Sequence, residues 1–164
     1  TGGTIHLAGE MFKQMAGVDF VHVPYKGTSQ LLPDLIAGRV PLAIDSIPAH
    51  LPHIRAGKTR ALAVASRARS ATLPDVPTIV ESGFPGFDAV TWFGLLAPAG
   101  TPKEAIDRLS AEFNKALQNP ALRKKLGDEG ADPAGGSPEH FAALIRDEIP
   151  RWGKVVKAAG ISVD

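Results

Sequence analysis

The chain has 164 residues, of which 44% are hydrophobic, and this is enough apolar material for one ordinary domain or two small lobes. Its 18 basic and 17 acidic residues leave a formal charge of +1 and are scattered, so a nucleic-acid or membrane-surface role has no electrostatic support. The absence of cysteine excludes disulfides, thiolate catalysis and cysteine-ligated metals.

The amino end combines a pair of glycines with a helical pattern. Gly2-Gly3-Thr4 precedes apolar residues at helical spacing that run to about Gly17, with Thr4 as the natural N-cap. If a strand preceded this helix, the amides of Gly3, Thr4 and Ile5 would form an anion site at its start. The alternative is that the glycines simply make a flexible terminus. A chain that opens on a glycine turn also suggests a fragment or a processed product.

The central stretch of the chain predicts a strand, a helix and a second strand. Phe20 to Val23 is apolar and partly β-branched, and the turn Lys26-Gly27-Thr28 follows it at the start of a helix that should end near Ala37. Leu42 to Ile44 is typical of a second buried strand, which closes on Asp45-Ser46. Strands joined through a helix are normally parallel, so both polar corners should lie at one carboxyl edge, where open α/β sheets bind ligands.

The remaining residues predict two further strands, a loop region and several helices. A helix or turn is expected at 47–55, interrupted at Pro48 and Pro52, and strands are expected at 60–66 and 90–97. Residues 67–88 should be mostly loop with one short helix at about 78–82. Three helices should begin at Thr101-Pro102, with Glu104 placed for a capping box, at Asn119-Pro120 and at Ser137-Pro138, the last kinked or divided at Pro150. The elements together predict an α/β fold with a mostly parallel sheet flanked by helices.

No sequence motif supports catalysis. An enzyme would have to pair Ser46 or Thr28 with a histidine, but the chain lacks a nucleophile elbow, a His-Glu-x-x-His pair, a phosphate loop and a dinucleotide fingerprint. His50 and His53 could share a helical face as metal ligands, although Pro52 lies between them and such pairs are more often solvated. We expect no catalytic residue, no metal site and no cofactor. The histidines considered are His6, His22, His50, His53 and His140.

The polar corners have both plain and functional interpretations. Lys26 is most simply a solvated turn lysine, and its functional role would be as a charged neighbour of an anion held by the amides of Gly27 and Thr28. Asp45 is either a carboxylate that caps the next turn or an acceptor for a ligand hydroxyl, amine or water, and it would repel a carboxylate placed directly against it. Trp92 and Phe93 are expected in core or hinge packing rather than on a ligand.

Seven runs of residues, spread over essentially the whole chain, form a recognisable pattern. They are Gly2-Gly3-Thr4-Ile5-His6-Leu7-Ala8-Gly9-Glu10, Val23-Pro24-Tyr25-Lys26-Gly27, Leu51-Pro52-His53-Ile54, Arg60-Ala61-Leu62-Ala63-Val64, Leu73-Pro74-Asp75-Val76-Pro77-Thr78, Trp92-Phe93-Gly94-Leu95-Leu96-Ala97-Pro98-Ala99-Gly100-Thr101-Pro102 and Lys154-Val155-Val156-Lys157-Ala158-Ala159-Gly160. In residues and in order, these runs resemble the Bug family, the periplasmic solute receptors of tripartite tricarboxylate transporters.

This resemblance implies part of a two-lobed type 2 periplasmic-binding-protein fold, or Venus flytrap, that binds small carboxylates and has no catalytic activity. In such receptors the ligand lies between the lobes, held by backbone amides at helix starts and by ordered water. Residues 1–89 would form the second lobe, and 90–164 a crossover strand and helical return into the first. The family's first-lobe segments are missing, so we expect an incomplete receptor. The implied ligand-binding residues are Gly3, Thr4, Ile5, Lys26, Gly27, Thr28, Asp45 and Ser46.

The expected function is therefore an extracytoplasmic receptor, located in the periplasm, that captures a di- or tricarboxylate for the membrane components of a tripartite tricarboxylate transporter. The fragment is also expected to self-associate if it leaves sheet edges exposed. An effector-sensing domain of a LysR-type transcriptional regulator, which has a similar two-lobed fold, is the alternative. An enzyme is the third and weakest hypothesis.

Overall fold

The structure is a computed structural model that describes residues 2–161, and this range contains six α-helices. Contacts divide the chain into two compact units: one runs to Thr91 and includes the end of the last helix from Val155, and the other is Trp92–Lys154. Within the described range, no helix combines the length and apolar character needed to cross a bilayer. The helices are α1 Thr4–Ala16, α2 Thr28–Ile36, α3 Ile47–Arg55, α4 Lys103–Ala116, α5 Pro120–Asp128 and α6 Pro138–Ala158.

Most helices end or begin where the sequence predicts, at glycines with positive φ or at capping side chains. Gly17 ends α1 in the left-handed conformation (φ 63°), and Gly38 has the same conformation (φ 72°) just beyond α2. Asn119 caps α5, because its side-chain oxygen accepts from the amides of Ala121 and Leu122. Thr4 is the first residue of α1 rather than its cap, a position that Gly3 takes.

Two predictions about prolines and caps are wrong, and one is wrong in part. Helix α3 is continuous, because Pro48 lies in the first turn, where its missing N–H costs nothing, and the turn after Pro52 still forms the bond from Ala56 N to Pro52 O. Helix α6 is not divided at Pro150, and a kink there stays a prediction. No capping box starts α4: the Thr101 hydroxyl donates to the Pro98 carbonyl at 2.8 Å instead.

The predicted parallel sheet does not form within residues 2–161. The only strand pairing there is an isolated parallel bridge between Val64 and Thr78. A strand needs a second backbone alongside it, whereas in segments 20–23 and 42–44 the side chains of Phe20 and Ile44 pack against a helix: a Cβ at Gly9 of α1 would lie 3.5 Å from Ile44 and 3.9 Å from Phe20. The short helix expected at 78–82 is instead a single turn, closed by reciprocal bonds between Thr78 and Glu81.

The core of the first unit forms around one face of α1. Phe12 makes edge-to-face contacts with Phe84 and Phe87, at centroid distances of 5.2 and 6.3 Å. On the same helix the Gln14 amide donates to the carbonyl of Val155 at the end of α6. The buried apolar side chains of this unit are Leu7, Ala8, Met11, Leu51, Val64, Phe87, Ala89 and Val155.

The second unit contains α4, α5 and most of α6, and its helices bury little. Trp92 packs edge-to-face on Phe141 of α6 at 5.3 Å, as expected for a packing residue, whereas the same expectation for Phe93 is wrong because that side chain is 95% exposed. Asn114 of α4 bonds both the amide and the carbonyl of Gly136, each at 2.9 Å. This pair of bonds ties α4 to the loop that precedes α6.

Candidate functional site

The two predicted polar corners meet through the side chain of Asp45. The Thr28 hydroxyl donates to Asp45 Oδ2 at 2.6 Å, and the Ser46 amide donates to Asp45 Oδ1 at 2.7 Å. His50 Nε2 lies 3.1 Å from Asp45 Oδ2. We call Thr28, Asp45, Ser46 and His50 the helix-start corner, because they join the first residue of α2 to the start of α3.

Helix geometry positions each donor around this carboxylate. Gly27 precedes α2 and accepts from the amides of Gln30 and Leu31, so the amides of Thr28 and Ser29 precede the first amide that bonds within the helix. Ser46 is the N-cap of α3, which makes Asp45 the residue before the cap and His50 the fourth helical residue. These two positions face each other at a helix start, and apolar pairs often occupy them.

The electrostatics of the helix-start corner favour an ionised Asp45. Its side chain is only 9% exposed, and that of His50 is 11% exposed. Burial by itself would raise the pKa of Asp45, but hydrogen bonds from Thr28, the Ser46 amide and His50 outweigh this, and the net result is a lowered pKa. Asp45 is therefore a carboxylate whose oxygens are already engaged by the protein.

A second network of hydrogen bonds holds the segment that precedes α2. The Tyr25 hydroxyl donates to Asp34 Oδ2 at 2.8 Å, and Arg39 pairs with the other oxygen of Asp34. The bonds from Tyr25 and Arg39 lower the pKa of Asp34, and the bond to Asp34 raises the pKa of Tyr25. The turn that carries Lys26 and Gly27 is thus anchored to the helix that follows it.

The remaining predicted site residues do not join the helix-start corner. Lys26 and Gly27 are exposed beside it. Gly3, Thr4 and Ile5 form the start of α1, where Gly3 O accepts from Leu7 N and Ile5 is 45% exposed. Among residues 2–161, no hydrogen bond or ion pair links these three residues to Thr28, Asp45 or Ser46. Their predicted role in binding remains a prediction.

His50 is the residue of this corner that was not predicted to belong to the site. From the sequence it is one of five histidines open to a catalytic role and, with His53, a metal ligand or a solvated pair, whereas the structure buries it against Asp45. The available signal was the spacing: a carboxylate just before an N-cap and a histidine at the fourth helical position are placed to touch. To recognise this spacing, the first residue of α3 must be known, and Pro48 and Pro52 make that residue hard to predict from the sequence.

The other histidines lie elsewhere, and the described residues contain no metal centre. The His6 and His22 rings lie 4.1 Å apart between centroids, and partial desolvation followed by the charge of His6 lowers the pKa of His22. No group of three or more histidine or acidic side chains within residues 2–161 is arranged to hold a metal ion. A shallow depression of about 390 Å³ beside α4 contains none of the predicted site residues and is lined by Glu112, Lys115, Ala116, Gln118 and Asn119.

Solved structures with the same fold define the class of protein. The chain superposes on R. palustris Rpa4515 with adipate at a TM-score of 0.83 and 44% identity, covering 98% of this chain and 54% of that one. It superposes on MatC from Rhodopseudomonas palustris with bound malate at a TM-score of 0.74 and 36% identity, covering 94% and 54%. These neighbours are periplasmic binding proteins of the type 2 fold, and the chain corresponds to about half of that fold.

Sequence comparison identifies the family. The profile of the tripartite tricarboxylate transporter family receptor, TctC, matches residues 1–161. The chain belongs to this family, which confirms the resemblance drawn from its motifs. Members of the family are periplasmic solute-binding receptors rather than enzymes.

Individual relatives agree with this assignment. A UPF0065 protein in the tcbD-tcbE intergenic region of Pseudomonas sp. strain P51 is 45% identical, over 94% of this chain and 46% of its own length. BugT of Bordetella pertussis is 40% identical, over 97% and 49%. The chain thus spans about half the length of these two relatives. A UPF0065 protein in the clcB-clcD intergenic region of Pseudomonas knackmussii is 40% identical, over 94% of this chain and 92% of its own length.

Proposed function

We propose that this chain contributes to an extracytoplasmic receptor that captures a small carboxylate for a tripartite tricarboxylate transporter. The observation that carries the proposal is the helix-start corner, where the first turns of α2 and α3 are joined through Asp45. Helix starts carry unpaired amides and a partial positive charge, which together favour bound anions. Family membership, and the adipate and malate of two related structures, support carboxylates as the ligand class.

The ligand would bind at the outer side of this corner rather than against Asp45. The oxygens of Asp45 already accept three hydrogen bonds, and its charge repels a second carboxylate placed directly beside it. The amides of Thr28 and Ser29 and the exposed ammonium of Lys26 would be the donors. Each charge-assisted bond contributes about 1.5–3 kcal/mol before the costs of desolvation and ordering. Asp45 would then act as the clamp that fixes the start of α2.

The wider assignments form part of the same proposal. Residues 1–89 would belong to the second lobe and residues 90–164 would return to the first, in a complete receptor with a mostly parallel sheet. The start of α1, with Gly3, Thr4 and Ile5, would supply further amides to the ligand. The receptor would work in the periplasm, deliver its ligand to the membrane components of the transporter, and take part in neither catalysis nor nucleic-acid binding.

The chemistry of the corner favours a receptor over the two alternatives. A nucleophilic hydroxyl needs a basic partner, but the Thr28 hydroxyl donates to a carboxylate with a lowered pKa, which is a weak base. Within the described range, the Ser46 hydroxyl has no bond to a histidine. A LysR-type effector domain is disfavoured because the matching family profile is that of a transporter receptor.

Calorimetry with a panel of C4 to C6 di- and tricarboxylates, including malate and adipate, tests the proposal. We expect the Thr28→Ala and Asp45→Ala variants to bind the preferred acid about five-fold to ten-fold more weakly, because each change releases the start of α2. Thr72→Ala and Asp132→Ala are the matched controls, since Thr72 bonds Ser70 away from the corner and Asp132 is exposed. Undiminished binding in both test variants would remove the corner from the site.

A further inference from the structure

The side chain of His50 is placed to control the helix-start corner without touching a ligand. It is 9% exposed overall, and its Nε2 atom approaches the same Asp45 oxygen that accepts the Thr28 hydroxyl. Asp45 Oδ2 is therefore held from two sides, by the first residue of α2 and by the second turn of α3. Loss of either donor would leave a largely buried carboxylate oxygen with one partner fewer.

We propose that His50 is a positioning residue of the carboxylate site, which orients Asp45 and through it Thr28. This inference rests on the proposed receptor function and adds a residue to it. Nε2 donates to Asp45 in the tautomer that carries its proton on this nitrogen.

Few other charges act on this pair of side chains. Asp45 is the only ionisable group that a contact within residues 2–161 places against His50. Among the neighbouring elements, Lys26 precedes α2 and is exposed, and Asp34 of α2 is engaged by Tyr25 and Arg39. The further ionisable groups of α3 are His53 and Arg55. Within the described residues, the bonds from Thr28 and His50 are thus the side-chain contacts that hold Asp45.

Two substitutions separate the hydrogen bond from the packing of the ring. His50→Gln keeps an N–H donor at a similar reach, whereas His50→Leu removes the donor and keeps an apolar side chain of similar size. The matched control is His53→Gln on the same helix, because within residues 2–161 His53 has no bond to Asp45. Adipate and malate binding would be measured by calorimetry at about pH 7.5, where both acids are ionised.

His50→Gln should bind adipate like the wild type, because it keeps the bond to Asp45. His50→Leu should bind about five-fold more weakly, because the donor is gone. His53→Gln should follow the wild type. Wild-type affinity in His50→Leu would overturn the inference.

A ligand-free measurement separates this inference from the proposed function. The titration of the Asp45 carboxyl, followed by carbon NMR, should move to higher pH in His50→Leu and stay unchanged in His53→Gln. An unchanged Asp45 titration in His50→Leu would overturn the positioning role even if the protein binds carboxylates. If the Asp45 titration shifts in His50→Leu but the wild-type protein binds none of the acids, the contact between His50 and Asp45 is supported and the proposed function is refuted.

Discussion

The hydroxyl of Thr28 donates to the carboxylate of Asp45 at 2.6 Å and so joins two segments that are 17 positions apart in the sequence. Neither of the extended segments that lead into these residues forms a β-ladder within residues 2–161. Their alignment therefore depends on side chains: this hydrogen bond and the packing of Phe20 and Ile44 against α1. The helix-start corner should accordingly be sensitive to changes of a single donor or acceptor.

Replacing Thr28 with valine tests the energetic value of this bond. Valine keeps the shape of threonine but cannot donate, so a largely buried carboxylate loses one partner. We expect the free energy of unfolding to fall by about 1–3 kcal/mol in urea denaturation. Ser29→Ala is the control, since Ser29 is exposed and lies one residue further along α2, and it should change stability little. Equal stability of Thr28→Val and wild type would mean that the bond contributes nothing.

The lowered pKa of Asp45 predicts a specific dependence of stability on acid. Burial raises the pKa of Asp45, but the hydrogen bonds from Thr28, the Ser46 amide and His50 lower it by more. The carboxylate therefore stays ionised to a lower pH in the folded state than in the unfolded state. Its contribution is fully present above the ordinary carboxyl pKa and is lost as the pH falls through that value toward the folded-state pKa. The wild type should therefore lose stability below about pH 5 more steeply than Asp45→Asn. Parallel pH curves would contradict the predicted shift, and Asp132→Asn should follow the wild type.

Gly94 is required by close packing in the second unit. A Cβ at this position would clash with the ring of Phe141, the residue on which Trp92 also packs. Gly94→Ala should destabilise the protein by about 1–3 kcal/mol because the ring must move. Gly153→Ala is the opposite control: it lies inside α6 with open space around it, and alanine should stabilise the helix by about 0.5–1 kcal/mol. Thermal unfolding of both variants should give shifts of opposite sign, and a stabilised Gly94→Ala would show that this packing is wrong.

Asn114 should protect the loop before α6. Its side chain accepts from the Gly136 amide and donates to the Gly136 carbonyl, so one residue supplies both partners for this stretch of backbone. In Asn114→Ala, the Gly136 amide should exchange hydrogen much faster, and stability should fall by about 1–2 kcal/mol. Gln118→Ala, at an exposed position just past α4, should change neither quantity. Slow exchange at Gly136 in Asn114→Ala would indicate a different partner.

The features that sequence predicted well are those that depend on neighbouring residues. Gly17 and Gly38 follow helices because only glycine takes their positive φ cheaply, and Asn119 caps α5 with its own side chain. The meeting of Thr28 with Asp45 was anticipated from the expected crossover of two strands. That argument located the corner correctly, although the strands themselves are not formed within the described residues.

The failures involve partners that local patterns do not specify. Segments 60–66 and 90–97 have strand-like composition, but a ladder needs a neighbouring backbone, and residues 2–161 supply only the bridge at Val64. The Thr101 hydroxyl could either accept from a backbone amide at the start of α4 or donate to a nearby carbonyl. In the structure it donates to the Pro98 carbonyl. His50 was missed because its role depends on the exact phase of α3, which two prolines made hard to read.

The most direct test of carboxylate capture at the helix-start corner is an NMR titration of the protein with adipate, following every backbone amide. We predict saturable shifts concentrated at Thr28, Ser29 and Ser46, with smaller changes in α4 and α5. Saturable shifts confined to residues outside this corner, or no shifts with any acid of the panel, would contradict the proposal that these helix starts bind the ligand.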